Sequence, residues 1–152
     1  MGQETTGRVA VERDIEIAAA PDAVWALVGR FGDMAWHPAI HATEADGETV
    51  GAVRLLTLGA AGGPTIREEL TERADAARRY AYRILDVDPS VLPVVNYRSE
   101  LAVVAEPAGG CSILRWKSRF DPAGGATEAA AAETMAGVYA AGLEAAKKAL
   151  DG

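Results

Sequence analysis

Residues 126–150 read ATEAAAAETMAGVYAAGLEAAKKAL, an unbroken helical pattern that follows a long stretch of strand-like sequence. The bulky apolar residues of this segment recur at helical spacing and form one stripe, which consists of Met135, Val138, Tyr139, Leu143 and Leu150. The rest of the stripe is small, namely Ala136, Gly142, Ala145, Ala146 and Ala149. A long helix with so few large side chains leaves space beneath it, and such space often holds a ligand. The stripe therefore predicts a pocket beside this helix, lined by Met135, Val138 and Gly142.

Seven alternating segments precede the helix, at about residues 8–17, 41–45, 50–58, 65–73, 79–87, 94–105 and 111–120. Short turn-rich connections join the last six, which predicts an antiparallel meander. After the first strand, Pro21 opens one short helix, and Asp33 caps a second that stops before Pro38. The predicted fold is α+β: a seven-stranded curved antiparallel sheet wrapped around the long C-terminal helix, with two short helices after strand 1.

Composition narrows the classes of partner. The 152 residues predict one domain over 1–152, with residues 1–7 flexible. Fifteen Lys and Arg against 22 Asp and Glu give a net charge of −7, which argues against nucleic acid and anionic membrane surfaces as partners. Cys111 is the single cysteine, so no internal disulfide or cysteine metal cluster forms. No membrane span or signal peptide is evident, which favours a cytoplasmic protein, either a monomer or a homodimer.

A carboxylate occupies an apolar strand face. Glu68 alternates in phase with Ile66 and Leu70. Buried carboxylates need a partner or a raised pKa, and such acids are candidates for proton transfer. An alternative that is compatible with this role is a structural ion pair with Arg54, whose strand face also carries the candidate ligand-binding residues Leu56 and Leu58.

Three aromatic residues with polar tips lie on the predicted inner face, namely Tyr82, Tyr97 and Trp116. Val95 and Ser99 are expected to share the face of Tyr97. These groups suit the positioning of a hydroxylated or carbonyl ligand, although each is also compatible with a core aromatic whose polar atom is satisfied. Together with the small residues of the helix, they favour a pocket lining, and Tyr97 is a second candidate for moving a proton.

Trp36 and His37 end the second predicted short helix, and Trp36 is a candidate ligand-binding residue. His37 is a candidate general acid or base, because imidazole titrates near neutrality. The alternative is a loop residue that caps backbone groups. His41 is expected at the surface, and Pro38 between the two histidines spoils the helical spacing of a metal pair. With no third ligand in view and no phosphate-binding or dinucleotide motif, the sequence predicts neither a metal nor a cofactor.

Several local patterns together resemble a known superfamily. They are APDAVW at 20–25, FGD at 31–33 leading to WHP at 36–38, GAVR at 51–54, residues 80–84, and NY at 96–97. Over about residues 8–150 the chain resembles the START-like helix-grip (SRPBCC) superfamily, in the polyketide cyclase/dehydrase branch that is similar to plant abscisic acid receptors. The resemblance implies a deep cavity between sheet and helix for apolar, aromatic or polyketide-like molecules.

Positions also carry over from this resemblance. Glu68, Tyr97 and Ser99 match polar pocket residues of the plant receptors, and Tyr82 and Val138 match apolar wall positions. The receptor gate is replaced by residues 59–64 and the latch by residues 88–93. Trp116 stands where the receptors have an acidic pocket residue, and no obvious match exists for the lysine that binds the hormone's carboxylate. Both departures argue against abscisic acid sensing.

Three functions follow as hypotheses. The first is a polyketide cyclase, aromatase or dehydratase, in which Glu68 or Tyr97 moves a proton and Arg54 neutralises an enolate or holds Glu68 ionised. The second is a non-catalytic carrier or sensor of an apolar or aromatic molecule, with the loop 59–64 closing over it. The third is a protein-interaction module whose ligand-closed loops form the contact surface.

Overall fold

Nine regular elements follow one another along the chain in the computed structural model, which describes residues 7–107 and 110–151. In chain order they are β1 (Val9–Ile17), α1 (Pro21–Val28), β2 (Ile40–Ala45), β3 (Val53–Leu58), β4 (Thr65–Ala74), β5 (Arg79–Asp86), β6 (Val94–Ala105), β7 (Ser112–Pro122) and α2 (Glu128–Asp151). A single 3₁₀ turn, Asp75–Ala77, connects β4 to β5. The order confirms the predicted α+β arrangement.

One antiparallel sheet contains all seven strands, in the spatial order β1-β7-β6-β5-β4-β3-β2. Sequence neighbours therefore pair from β2 to β7, and β1 closes the other edge against β7. The register shifts within β2, β4 and β6. Because such irregularities bend a strand and increase its twist, they help the sheet to curve around α2.

The second predicted short helix is wrong, because residues 33–36 form isolated turns. The backbone N–H of His37 donates to the Met34 carbonyl at 3.0 Å, and Asp33 Oδ1 accepts from the Ala35 N–H at 3.0 Å. Asp33 thus caps a turn that does not continue as a helix. Pro38 disfavours helical backbone at His37, so the segment remains an irregular connection between α1 and β2.

One predicted inward residue faces outward. Val95 was expected to share the inner face with Tyr97, but it is 54% exposed, whereas Val94 is buried. Asn96 takes a left-handed conformation (φ 56°), and the pairing of β6 with β7 shifts between Val95 and Arg98. This bulge reverses the alternation locally, so Tyr97 keeps its inward position and Val95 does not.

Helix α2 packs closely against the rest of the core at Gly142. A Cβ atom at this position would lie 2.6 Å from His37 Cδ2 and 2.9 Å from Trp116 Cζ3. Such distances are shorter than carbon atoms tolerate, so the glycine allows the helix backbone to approach both rings. Gly142 is therefore a packing requirement of the helix, and it does not form the smooth cavity wall expected from the sequence.

The ends of the long helix follow capping rules. Thr127 Oγ1 accepts from the Ala130 N–H at 3.0 Å and so caps the helix N-terminus, and Lys148 lies in the last turn. At the N-terminus of the chain, the prediction of flexibility for residues 1–7 concerns mainly residues 1–6, which lie outside the described residues. The Gly7 carbonyl accepts from Arg119 Nη1 at 2.9 Å.

Within the described part of the chain, no helix combines the length and apolarity that a membrane crossing requires.

Replacing Gly142 with Ala is expected to lower the free energy of unfolding by about 1–3 kcal/mol, because an added methyl group overpacks the contact with His37 and Trp116. Urea denaturation monitored by circular dichroism measures this change.

Gly137 supplies a matched control in the same helix, since nothing lies within 4 Å of a Cβ placed there. Gly137→Ala is expected to stabilise the protein by about 0.5–1 kcal/mol through helix propensity alone. Equal effects at both positions would contradict the proposed role of Gly142.

Candidate functional site

A small cavity lies between the inner face of the sheet and α2, with a volume of about 80 Å³. Most of the predicted site residues line it, namely His37, Arg54, Leu56, Leu58, Glu68, Tyr82, Tyr97, Trp116, Met135 and Val138. The volume is well below the roughly 300–1,000 Å³ of sites for drug-sized ligands. The fold thus brings the predicted residues together around a space much smaller than the resemblance implies.

Three predicted site residues lie outside this lining. Gly142 contacts His37 and Trp116, as described above. Trp36 is buried beside Trp116, with ring centres 5.7 Å apart, and its indole N–H has no hydrogen-bond partner among the described residues. Ser99 Oγ accepts from Trp116 Nε1 at 3.1 Å and donates to the Lys117 carbonyl at 2.9 Å. Ser99 therefore orients Trp116 from behind the cavity wall.

Arg54 and Glu68 form a buried ion pair across two neighbouring strands. They are directly opposite each other in the β3–β4 register, so period-2 alternation turns both side chains inward. Arg54 Nε lies 2.8 Å and Nη2 lies 2.7 Å from Glu68 Oε1. The side chains are 1% and 6% exposed, respectively. The two interpretations of Glu68 from the sequence are thus compatible, because the paired carboxylate also lines the cavity.

Further groups surround the Arg54 guanidinium. Nη1 donates to the Phe31 carbonyl at 2.9 Å and to the Tyr80 hydroxyl at 3.2 Å. The guanidinium carbon also lies 4.2 Å from the centre of the Phe31 ring and 4.8 Å from that of Tyr82, which are cation–π distances. Arg54 therefore joins β3, β4 and β5 to the segment after α1, and most of its donors are already engaged.

Burial and pairing act in opposite directions on the two charges. Burial raises the pKa of Glu68 above its ordinary value, and the Arg54 guanidinium acts against this rise. Burial likewise disfavours the charged form of Arg54, but Tyr80 and Glu68 hold the pKa of Arg54 above its ordinary value. Since arginine stays protonated, Glu68 is held as a carboxylate with a higher proton affinity than an exposed glutamate.

Three tyrosines that line the cavity carry hydroxyl groups. The Tyr97 and Tyr139 hydroxyls are hydrogen-bonded to each other, and Trp116 Nε1 donates to the Tyr82 hydroxyl at 3.1 Å. Burial raises the pKa of Tyr139 to about 12, and it raises the pKa values of Tyr82 and Tyr97 well above the ordinary tyrosine value. These phenols are neutral at physiological pH, so Tyr97 can donate a hydrogen bond but does not supply a phenolate base.

His37 connects the segment before β2 to the long helix. Nδ1 accepts from the Ala39 N–H at 3.1 Å, so the ring proton is on Nε2, which lies 2.8 Å from the Val138 carbonyl. Burial lowers the pKa of His37, against the effect of the Val138 hydrogen bond. Both nitrogens are occupied by backbone groups, which supports the capping alternative over a general acid or base.

Several lining residues were not predicted as site residues. Tyr139 was assigned to the helix stripe but not to the site. Its position beside Val138, a predicted site residue, was the sequence signal that could have identified it as a lining residue. The others are Met34, Ala39, Ile40, Ile66, Ile84 and Leu92. Of these, Ile66 and Ile84 alternate in phase with Glu68 and Tyr82, which is a signal available from the sequence. Leu92 is buried although it lies in the turn-rich connection between β5 and β6, where periodicity gives no guide.

Metal-binding groups do not cluster at this site. Across residues 7–107 and 110–151, no group of three or more His, Cys, Asp or Glu side chains is arranged to hold a metal ion.

Comparison with known proteins identifies a family. The sequence profile described as "Polyketide cyclase / dehydrase and lipid transport" matches residues 8–151. A comparison with curated protein sequences found no significant match.

Solved structures with the same architecture include bacterial and plant proteins. XoxI from Bacillus cereus is 29% identical, with a TM-score of 0.84 over 93% of this chain and 95% of that one. A protein from Thermobifida fusca is 33% identical, with a TM-score of 0.79 over 93% and 92% of the two chains. Norcoclaurine synthase from Thalictrum flavum is 17% identical, with a TM-score of 0.68 over 97% of each chain, and at this identity it supports the fold alone.

Breaking the buried pair is expected to be costly. Arg54→Met and Glu68→Leu should each lower the free energy of unfolding by about 3–5 kcal/mol, because each leaves an unpaired buried charge. The double variant removes both charges and should be at least about 2 kcal/mol more stable than the sum of the single effects predicts. Urea denaturation of the four proteins measures this coupling.

The exposed pair Arg83 and Glu69 provides the control, since it spans β5 and β4 at the same 2.7 Å with side chains 48% and 27% exposed. Its coupling energy should be about 0–1 kcal/mol. If the buried pair couples no more strongly than this one, its central role in the core is wrong.

Proposed function

Because this chain belongs to the polyketide cyclase/dehydrase and lipid transport family, we propose that it binds a small, largely apolar aromatic molecule between the sheet and α2. The observation that carries this proposal is the cavity, which brings aliphatic and aromatic side chains from the sheet and the helix around a few fixed polar groups. That combination of an apolar lining with few convergent polar groups is typical of small-molecule sites.

The cavity volume limits the size of the ligand. About 80 Å³ is smaller than the roughly 150 Å³ dry cavity known to accept benzene, so a ligand of one ring requires the lining to adjust. Met34 and Met135 both line the cavity, and methionine side chains adapt their shape readily. A single-ring ligand therefore fits the proposal better than an extended polyketide chain. Norcoclaurine synthase, a structural neighbour, was solved in complex with dopamine and hydroxybenzaldehyde, which are small aromatic molecules.

The loop 59–64 is the proposed gate. The Gly59 N–H donates to the Ala39 carbonyl at 2.9 Å, and Ala39 lines the cavity. The glycine-rich loop thus adjoins the cavity wall, and movement of the loop would expose this side of the cavity.

A thermal-shift experiment with cumene, a neutral single-ring hydrocarbon, tests the binding proposal. A ligand that binds only the folded protein stabilises it by about 1.4 kcal/mol at ten times its Kd, which corresponds to a rise in Tm of about 3–6 °C.

Val138→Phe is expected to abolish this rise, because the larger side chain occupies the cavity that Val138 lines. Val104→Phe is the matched control, since Val104 is exposed on the outer face of β6 and its replacement should leave the rise intact. A rise that survives Val138→Phe, or no rise in the unmodified protein, would count against the site.

The second candidate function is catalysis of proton transfer, as in a cyclase or dehydratase. The observation that favours it is Glu68, a carboxylate in an apolar cavity whose pKa is raised by burial. Such a group can accept a proton from carbon adjacent to a carbonyl, while a tyrosine hydroxyl stabilises the resulting enolate oxygen.

Acetophenone in D₂O tests this candidate without knowledge of the natural substrate. Proton abstraction by Glu68 replaces methyl hydrogen with deuterium, which NMR detects, and Glu68→Gln should remove the catalysed exchange. Glu72→Gln is the control, because Glu72 is an exposed residue on the same strand. Exchange no faster than in buffer, with acetophenone bound, would exclude this candidate and leave the binding proposal standing.

A further inference from the structure

We propose that the ligand is a neutral carbonyl compound, a ketone or an aldehyde, whose oxygen accepts a hydrogen bond from the Tyr97–Tyr139 hydroxyl pair. This inference rests on the proposed function, since it names the chemical class of the molecule that occupies the cavity. It assigns Tyr139 a role in specificity that the sequence pattern did not indicate.

The charges that line the cavity cancel. Arg54 and Glu68 neutralise each other at 2.7 Å, and Arg54 also donates to the Phe31 carbonyl and to the Tyr80 hydroxyl. His37 is neutral, because Nδ1 accepts from a backbone N–H. Arg54 is already paired, so a ligand carboxylate finds no free cation among the lining residues. Glu68 is likewise paired, so a ligand ammonium finds no free carboxylate there. Burying either charged ligand would leave its charge without compensation.

The tyrosine hydroxyls that line the cavity have hydrogens available for donation to a ligand. One hydrogen joins Tyr97 to Tyr139, so the second hydroxyl of that pair retains its own. The Tyr82 oxygen accepts from Trp116, so the Tyr82 hydrogen also remains for donation. Ser99 and Ser118 lie beside Tyr139, but Ser99 already donates to Lys117 and accepts from Trp116, and Ser118 Oγ forms no hydrogen bond with the described residues. A carbonyl oxygen accepts from these donors and needs no acceptor itself. A ligand hydroxyl would bring a further hydrogen that needs an acceptor.

The position of the pair favours orientation of a ligand. Tyr97 belongs to β6 and Tyr139 to α2, so their hydrogen bond spans the sheet and the helix at the cavity wall. Trp116 stacks on Tyr139 with ring centres 4.6 Å apart, and Phe120 packs against Tyr97 at 5.9 Å. Because neighbouring rings fix both phenols, their hydroxyls are oriented before a ligand arrives, which favours selectivity.

The test uses four single-ring probes of similar size: acetophenone, its apolar isostere cumene, benzoate and benzylamine. Calorimetry or ligand-observed NMR gives Kd for each probe with the unmodified protein, Tyr97→Phe, Tyr139→Phe and the double variant. Ser112→Ala is the control, since it removes a buried hydroxyl that donates to the Ala19 carbonyl and does not line the cavity. Circular dichroism checks that all variants are folded.

The expected result is that acetophenone binds at least about tenfold more tightly than benzoate or benzylamine. The double variant Tyr97→Phe/Tyr139→Phe should weaken acetophenone binding by about tenfold, because the carbonyl oxygen loses both hydroxyls of the pair in a buried site. Each single change should weaken it by less, because the remaining hydroxyl keeps its hydrogen, and cumene binding should change by less than about twofold in all three variants. Ser112→Ala should leave both values nearly unchanged.

Two results would overturn the inference while the binding proposal survives: benzoate or benzylamine binding as tightly as acetophenone, or the tyrosine variants weakening acetophenone and cumene equally. If none of the four probes binds, cumene included, both the inference and the binding proposal fail.

Discussion

The buried ion pair between Arg54 and Glu68 is the interaction on which the organisation of this core depends. It joins opposite residues of β3 and β4, reaches the segment after α1 through the Phe31 carbonyl, and reaches β5 through the Tyr80 hydroxyl. A charge in this position is tolerated only while its partners stay in place. The pair therefore constrains four parts of the chain at once, and the proposed preference for neutral ligands depends on its neutrality.

Much of the fold could be predicted because its elements have clear periods. Alternation placed Glu68 inward with Ile66 and Leu70, and the cross-strand position of Arg54 then followed. The stripe of the C-terminal helix predicted α2 nearly to its ends. Val95 could not be placed in this way, because the left-handed backbone of Asn96 is a local conformation that no alternation reveals. The turns at residues 33–36 similarly carry helix-like capping without the hydrogen bonds of a helix.

The site was less predictable than the fold because it depends on contacts between distant elements. Gly142 was assigned to a cavity wall, but the rings of His37 and Trp116 occupy the space beside it. Tyr139 lay on the predicted stripe, yet its hydrogen bond to Tyr97 joins a helix to a strand. The residue spacing within one element does not predict the distance between side chains of two different elements. The volume of the cavity depends on the packing of many side chains together. A stripe of small residues therefore indicates space beside the helix but does not predict the cavity volume.

The same cavity combines rigid polar groups with adaptable apolar ones. Arg54, Glu68, His37 and the phenols are held by hydrogen bonds or ring packing, whereas Met34 and Met135 are flexible side chains. A ligand can therefore alter the shape of the cavity at low cost, but it cannot easily change the pattern of donors and charges. Sites of this kind discriminate by polarity more strongly than by shape, because an unmatched buried polar group costs more than a displaced methionine. The fold supports many functions, so the proposed selectivity of this chain rests on these few polar positions rather than on the architecture that it shares with its family.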